Sequence, residues 1–213
     1  MAMVLNKEIE HDCLLGMWEI EEDLDTLLSK VYLTAEEENT LNGFQSYQRK
    51  LEWLSVRVLL NSVLDRYVNI VYDENRKPFL HDKSYNISIS HSRNLTSVLL
   101  SKTLKVGIDL EFMSHKISRI SHKFINEKEI ISDDSTLRSK HLYIHWCAKE
   151  ALYKICDKQD INFKHNLTIE PFEVQDEGLF RGIVENKFGL DIFNMNYFFR
   201  NNYIIVWCNK KYN

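Results

Sequence analysis

Apolar residues in the first third of the chain recur at helical spacing. Over residues 47–67 they return every three or four positions, which predicts an amphipathic helix. Thr34 is followed three positions later by Glu37, and this pattern indicates an earlier helix that begins after Leu33. The residues before Thr34 have no clear period and are read as strand or loop.

Strand-like segments follow this helical region. Residues 86–90 alternate isoleucine with serine, and residues 95–101 are largely apolar. Residues 92–94 lie between them and are typical of a hairpin connection. A further strand is predicted over residues 105–112, where small, apolar and acidic residues alternate.

The second half of the chain combines helices with an alternating tail. Its pattern predicts a helical stretch over residues 117–131, a polar break, and a long helix from about 136 to 156. Antiparallel strands are expected at 167–174, 179–184, 197–200 and 203–208. Helices and hairpins in this order predict an α+β fold. A division near residue 103 would give two similar α+β subdomains, 1–103 and 104–213.

Composition fits one compact protein or two small units. The chain has 213 residues, of which 44% are hydrophobic and 27% charged, and its formal net charge is -4. This charge argues against nucleic-acid binding, although a local basic patch could hold a phosphorylated small molecule. No secretion signal or membrane-length apolar run is visible, so we expect a cytoplasmic protein with no membrane partner. The four cysteines lack metal-site spacing and are expected to be reduced packing residues.

Two acids in the strand at 105–112 form the first candidate site. Asp109 and Glu111 are two positions apart, so a strand points both carboxylates to one face. A buried carboxylate needs a cation, a shifted pKa or solvent. Oxygen ligands without His or Cys favour magnesium or manganese over zinc. The alternative is a solvent-facing edge strand.

The long helix carries a second set of charged residues. Glu150 and Lys154 are four positions apart and lie on one helix face, where one could complete a metal shell and the other meet a phosphate. Lys149 lies about 100° round the helix from Glu150. The alternative is a surface Glu–Lys pair that only stabilises the helix.

Basic residues in the first half are candidates for anion binding. Arg49 and Arg57 are a little over two turns apart on the helix at 47–67, so they are predicted to project from nearly the same side and bind one extended anion. Lys77 follows Arg76 in a basic turn before a proline. Downstream, Ser88, Ser90 and His91 at the end of a strand could hydrogen-bond a phosphate. A serine nucleophile is disfavoured because the nearby acids suit a metal better.

Two histidines on the long helix also share a face. His141 and His145 are four positions apart and could chelate a transition metal. No glutamate follows His141 as a zinc-protease motif requires, so a satisfied or exposed pair is the favoured interpretation.

Three segments together resemble the signatures of a known family. They are residues 86–92 (Asn-Ile-Ser-Ile-Ser-His-Ser), 106–111 (Val-Gly-Ile-Asp-Leu-Glu) and 146–154 (Trp-Cys-Ala-Lys-Glu-Ala-Leu-Tyr-Lys). In this order they resemble the 4′-phosphopantetheinyl transferase superfamily, in its long single-chain form typified by the surfactin-synthetase activator. The resemblance is clear from about Arg49 to Lys154. Outside that range the chain is only compatible with the family in length and composition, and the first thirty residues match nothing in it.

The resemblance implies a fold of two similar halves with the active site in the cleft between them. It also implies an activity: transfer of 4′-phosphopantetheine from coenzyme A to a serine of an acyl or peptidyl carrier protein, with release of 3′,5′-ADP. This is the holo-carrier protein synthase reaction of fatty acid, polyketide or nonribosomal peptide biosynthesis. The chain would work as a monomer, with Mg²⁺, or alternatively Mn²⁺, as cofactor and coenzyme A as co-substrate.

The resemblance also implies roles for individual residues. Asp109, Glu111 and Glu150 would hold the metal, and Glu150 is the candidate base for the carrier serine. Asp109, Glu150 and Lys154 would be the catalytic set, with Lys154 contacting a phosphate and assisting the leaving group. Contacts to coenzyme A are implied for Arg49, Arg57, Lys77, Ser90, His91, Lys149 and Lys154. Glu129 matches a supporting acid.

One departure and two alternatives remain. Arg76 stands where the family usually has glycine before Lys77 and Pro78. The same acids and cations would also suit another magnesium-dependent phosphotransferase or phosphohydrolase, which would turn over without a carrier. A non-catalytic protein that binds coenzyme A or a carrier is the third interpretation, and an Asp109→Ala variant that still bound ligand would favour it.

Overall fold

The computed structural model describes residues 3–9, 12–114, 116–156, 161–187 and 189–212. By its internal contacts the chain forms two compact units, Met1–Thr103 and Leu104–Asn213. Each unit contains helices and an antiparallel sheet, so the predicted α+β class is confirmed. Within the described residues, no helix is both long enough and apolar enough to cross a membrane.

The first unit is built from a sheet and one long helix. Its elements are β1 (Met3–Glu8), β2 (Cys13–Glu19), α1 (Leu24–Leu28), α2 (Ala35–Gly43), α3 (Tyr47–Leu64), β3 (Ile70–Tyr72), β4 (Pro78–Leu80), β5 (Asn86–Ser92) and β6 (Leu95–Ser101). In the part of this unit that the structure describes, a four-stranded sheet has the order β1-β2-β6-β5, and β3 pairs with β4. Apolar residues of α3 pack with those of β2, β5 and β6 in one core.

Local sequence explains where the helices of this unit begin. Thr34 and Glu37 form a capping box, because each side chain accepts a hydrogen bond from the other residue's backbone N–H. The Ser46 hydroxyl accepts from the backbone N–H of Arg49 and starts α3. The predicted helices after Leu33 and from residue 47 are therefore confirmed.

The second unit places one long helix over a larger sheet. Its elements are β7 (Leu104–Phe112), α4 (Ile117–Ile120) and a 3-10 turn (Ser121–Lys123), α5 (Ser135–Ile155), β8 (Leu167–Ile169), β9 (Glu177–Asn186), β10 (Gly189–Arg200) and β11 (Tyr203–Lys211). Among the described residues, the sheet has five antiparallel strands in the order β7-β11-β10-β9-β8. The apolar face of α5 forms the core with β8 to β11.

Three sequence predictions are wrong in this unit, and one of them is the strand over residues 167–174, because β8 ends at Ile169. The helix expected over residues 117–131 ends at Ile120 and passes through a single 3-10 turn. Side chains replace helical hydrogen bonds beyond it: Asn126 Oδ1 accepts from Lys128 N–H, and Glu129 Oε2 accepts from Asn126 N–H. The strand predicted at 197–200 is also too short, because β10 begins at Gly189.

Candidate functional site

The acid-bearing strand β7 lies unusually close to helix α5. A Cβ atom at Gly107 would be 2.3 Å from the Ala151 carbonyl oxygen, which is far inside van der Waals contact. Only glycine therefore permits this approach. Gly107, Asp109 and Glu111 alternate along the strand, so the same face that meets α5 carries both carboxylates.

Asp109 forms an ion pair with Lys154 across this contact. Lys154 Nζ donates to Asp109 Oδ1 at 2.7 Å and to the Ile108 carbonyl oxygen at 2.9 Å. The Asp109 side chain is buried, whereas the Lys154 side chain is about one-quarter exposed, at 23%. The structure thus brings together two of the three predicted catalytic residues.

The surroundings of Cys147 show that the carboxylates of both Asp109 and Glu111 lie near it. Its thiol is fully buried on α5, and burial is the first cause that raises its pKa well above the usual value. The negative charges of Asp109 and Glu111 raise that pKa further, and the thiol is hydrogen-bonded to Asp109. Asp109 and Glu111 are therefore both within electrostatic range of one helix residue. The thiol stays protonated and serves as a hydrogen-bond partner.

Glu150 is the third predicted metal ligand. It is half-buried on α5, one turn before Lys154 and one turn after Cys147, so these three residues follow one helix face. Across the described residues, no three His, Cys, Asp or Glu side chains lie close enough together to form a metal-binding group. The metal-binding role of Asp109, Glu111 and Glu150 stays a prediction.

Lys149 has a structural role rather than the predicted ligand contact. Its ammonium is completely buried and donates to Glu129 Oε2 at 2.8 Å and to the carbonyl oxygens of Phe124 and Phe163 at 2.5 and 3.0 Å. An ammonium has three donors, so none is left for a phosphate. Burial lowers the pKa of Lys149, and the charge of Glu129 opposes that shift. The implied coenzyme A contact of Lys149 is corrected accordingly.

Glu129 connects this buried ion pair to the rest of the unit. In addition to Lys149, its carboxylate accepts hydrogen bonds from the backbone N–H groups of Asn126 and Ile169. Helix α5, the loop before it and strand β8 are joined at this carboxylate. The supporting role implied for Glu129 therefore has a physical basis.

The histidine pair of α5 is buried and neutral. His145 Nδ1–H donates to the His141 carbonyl oxygen, and the rings of both residues contact Phe172. Burial lowers the pKa of His145 to about 3 and also lowers the pKa of His141. The pair is buried in the core rather than exposed, but it is not fully satisfied, because buried His141 Nε2 has no hydrogen-bond partner among the described residues.

In the first unit, Arg49 and His91 form a polar cluster with Glu52. Arg49 Nη1 is 2.6 Å from His91 Nε2 and 3.4 Å from Glu52 Oε2. His91 Nδ1 is 3.3 Å from the same Glu52 oxygen. The Arg49 side chain is 43% exposed, so its guanidinium remains accessible to an anion.

Arg57 does not join this cluster, and its predicted ligand contact is corrected. Eight residues correspond to about 80° of rotation on a helix, and the Arg57 side chain is buried. Its Nε donates to Glu37 Oε1 at 2.9 Å, and its guanidinium stacks on the Trp53 ring. Burial lowers the pKa of Arg57, while Tyr72 and Glu37 raise it. Arg49 and Arg57 are therefore not placed to bind one anion together, as the sequence had predicted.

The remaining predicted contacts lie on two other parts of the unit. Ser90 is buried and directly opposite Ser97 on β6, and strand alternation turns its side chain to the sheet face opposite His91. Lys77 lies in the turn before β4, where its backbone N–H donates to Asp73 Oδ1. Arg76 in that turn has a φ of 60°, in the left-handed region that glycine adopts most easily. This backbone conformation explains why the family usually has glycine at the position of Arg76.

Comparison with known proteins identifies the unit that holds the carboxylates. Residues 105–208 match the model of the 4′-phosphopantetheinyl transferase superfamily. The second unit is therefore a domain of the 4′-phosphopantetheinyl transferase superfamily. The match covers β7 through β11, and so includes Asp109, Glu111, Glu150 and Lys154.

A curated relative supports the superfamily assignment. The chain is 25% identical over 138 residues to the 4′-phosphopantetheinyl transferase HetI of Nostoc sp. (strain PCC 7120 / SAG 25.82 / UTEX 2576). The similarity covers 57% of this chain and 58% of HetI, so the chain spans little more than half of that transferase.

Sequence reasoning missed two residues in these clusters. Glu52 contacts Arg49 and His91. Its position three residues after Arg49 on a predicted helix could have indicated the contact with Arg49. Cys147 contacts Asp109, and it lies three residues before Glu150 on α5. Both lie inside predicted helices at spacings that place them beside a predicted site residue.

Proposed function

We propose that this superfamily member transfers 4′-phosphopantetheine from coenzyme A to a serine hydroxyl of an acyl or peptidyl carrier protein. The other product is 3′,5′-ADP. The observation that carries the proposal is the contact between Lys154 and Asp109, within the part of the chain that matches the superfamily. This contact pairs a cation suited to phosphate with a carboxylate suited to a metal.

The carboxylates of β7 fit magnesium by their chemistry. Magnesium prefers oxygen ligands and usually takes only one or two protein carboxylates, together with water and substrate phosphates. Asp109 and Glu111 share one strand face, and both raise the pKa of the same thiol. We assign them as metal ligands, with Glu150 as the further carboxylate. When bound, the metal neutralises charge on the diphosphate of coenzyme A.

The remaining steps belong to side chains of the second unit. Lys154 is held by Asp109 and by the Ile108 carbonyl oxygen, and its partly exposed ammonium is positioned to stabilise negative charge on a phosphate oxygen. Glu150 accepts the proton of the carrier serine as that hydroxyl attacks phosphorus. The bond to the 3′,5′-ADP oxygen breaks, and no covalent enzyme intermediate is needed.

The first unit supplies the nucleotide contacts in this proposal. Arg49 and His91 are 2.6 Å apart, with an accessible guanidinium, and together they form the contact for the 3′-phosphate. Lys77 is assigned to another phosphate of the nucleotide. Ser90, on the sheet face opposite His91, is assigned to a separate polar contact with the nucleotide. The chain is proposed to act as a monomer.

Intact mass spectrometry tests the proposed function. Apo acyl carrier protein and an apo peptidyl carrier are incubated separately with the protein, coenzyme A and Mg²⁺. The expected result is a gain of one phosphopantetheine on at least one carrier, lost when a chelator is added and restored by excess Mg²⁺ or Mn²⁺. A carrier whose acceptor serine is replaced by alanine is the matched control.

The alternatives give different results in the same assay. Coenzyme A that binds in a calorimetric titration without carrier modification would indicate a binding protein. Breakdown of coenzyme A without a carrier would indicate a phosphohydrolase. Either result would overturn the proposed transfer.

A further inference from the structure

Glu52 lies at the centre of the polar cluster of the first unit. It is on α3, one turn after Arg49, and its side chain is mostly buried. The same oxygen, Oε2, is 3.4 Å from Arg49 Nη1 and 3.3 Å from His91 Nδ1. One carboxylate therefore contacts both residues assigned to the 3′-phosphate.

The contact with Arg49 determines which nitrogen of His91 carries a proton. An arginine side chain is always protonated in proteins and can only donate. His91 Nε2, at 2.6 Å from Arg49 Nη1, must therefore be the acceptor. The proton of the neutral ring is then on Nδ1, which is the nitrogen next to Glu52.

Glu52 is itself held in place by a neighbouring side chain. Gln48 Nε2 donates to the Arg93 carbonyl oxygen at 2.8 Å and lies 3.5 Å from Glu52 Oε1. Arg93 is in the turn between β5 and β6, directly after the strand that carries His91. Helix and turn thus both fix the carboxylate that faces the His91 ring.

We infer that Glu52 is a positioning residue for the phosphate-binding pair. By accepting the Nδ1 proton it keeps Nε2 of His91 beside the Arg49 guanidinium, and when an anion binds at Arg49, Nε2 takes up a proton from water and donates to that anion. Glu52 does not touch the reacting phosphorus. The inference rests on the proposed binding of coenzyme A, because it assigns a role toward its 3′-phosphate.

Two substitutions of Glu52 separate the effect of its hydrogen bond from the effect of its charge. Glu52→Gln keeps an oxygen acceptor but removes the charge, whereas Glu52→Ala removes both. Loss of one orienting hydrogen bond of ordinary strength predicts that Glu52→Ala raises KM for coenzyme A roughly fivefold to tenfold with kcat unchanged. Glu52→Gln should show a smaller rise, and Glu36→Ala, an exposed glutamate on α2, should show none.

The 3′-phosphate itself provides the specificity control. With 3′-dephospho-coenzyme A the two Glu52 variants should have the same KM as the unmodified protein. A lower KM for coenzyme A in Glu52→Gln would mean that the carboxylate mainly repels the phosphate, and would overturn the inference. An equal rise for both substrates would also overturn it, because the effect would then be general.

An NMR measurement keeps the test independent of turnover. The ¹⁵N shifts of the His91 imidazole should show a proton on Nδ1 in the unmodified protein and in Glu52→Gln, and a weaker preference for Nδ1 in Glu52→Ala, where only Arg49 still favours it. A proton on Nε2 in the unmodified protein would contradict the inference even if the transferase assay succeeds. If no carrier is modified, the tautomer and the calorimetric affinities for the two coenzymes still decide the role of Glu52.

Discussion

Lys154 and Asp109 are 45 positions apart in the chain, and their Nζ and Oδ1 atoms are 2.7 Å apart. Strand β7 and helix α5 supply one residue each, and the close approach at Gly107 makes the contact short. A phosphate-directed cation is thereby held against a carboxylate assigned to the metal.

Replacement of Asp109 tests the importance of this contact. Asp109→Ala removes the ion-pair partner of Lys154 and one proposed metal ligand, so carrier modification should fall by about 10² to 10³ in kcat/KM. Asp191→Ala is the matched control, because Asp191 also pairs with a lysine, Lys210, at 2.5 Å but is half exposed. Rates are measured with coenzyme A and saturating carrier. Equal activity of the two variants would rule out a role for the Asp109 contact.

The Gly107 approach gives a prediction about stability. Gly107→Ala places a methyl group against the Ala151 carbonyl oxygen, so the strand and helix must separate. We expect a loss of about 1 to 3 kcal/mol in the free energy of unfolding, measured in urea, and lower activity because Lys154 moves from Asp109. Gly43→Ala, at the end of α2 where a Cβ has no neighbour within 4 Å, should not destabilise the protein. Similar losses for both variants would contradict this account.

Loss of the buried ion pair between Lys149 and Glu129 should greatly lower the free energy of unfolding. Lys149→Met leaves the Glu129 charge buried and removes donors from two backbone carbonyls, so unfolding should become easier by about 3 to 5 kcal/mol. Lys140→Met makes the same change on the same helix at a lysine that pairs with exposed Asp176 and lies over the Phe199 ring, and should change stability by less than about 1 kcal/mol. Denaturant unfolding of both variants measures the difference. A stable Lys149→Met protein with a raised KM would restore the ligand role for Lys149.

The low pKa of His145 predicts sensitivity to acid. The folded pKa of about 3 is below the ordinary value of 6.5, so the unfolded chain binds the proton first. Stability is fully retained above pH 6.5 and is lost as pH falls toward 3, at about 1.4 kcal/mol per pH unit for this proton. His145→Asn, which keeps a donor near the Nδ1 position, should flatten this dependence between pH 6 and 4. Exposed His165→Asn should leave the slope unchanged.

The backbone at Arg76 predicts how the turn before β4 responds to substitution. Its φ of 60° costs a non-glycine residue about 1 kcal/mol, and glycine relieves this cost while adding freedom to the unfolded chain. Arg76→Gly should therefore be equal to or up to about 1 kcal/mol more stable than the unmodified protein. Arg76→Ala should be near neutral and Arg76→Val less stable, by thermal unfolding. A strong loss in Arg76→Ala would instead indicate an essential arginine contact.

Local pattern was sufficient where neighbours along the chain determine the structure. The capping box of Thr34 and Glu37, the helical period after Ser46 and the alternation around Asp109 each act within a few residues, and the corresponding elements were predicted. The helix predicted through Glu129 failed because that carboxylate binds Lys149, twenty positions away. Local periodicity contains no information about such a partner.

For charged residues too, some properties follow from the local sequence and others depend on residues that are distant in the chain. The sequence by itself determined the superfamily signatures, the α+β class and the spacing of the acids and cations. Tertiary structure alone decided that Lys154 meets Asp109, that Lys149 and Arg57 are buried in ion pairs, and that Glu52 joins Arg49 to His91. The physical reason is that burial and pairing depend on groups brought together from distant positions, and these determine whether a charge supports the fold or remains accessible to a ligand.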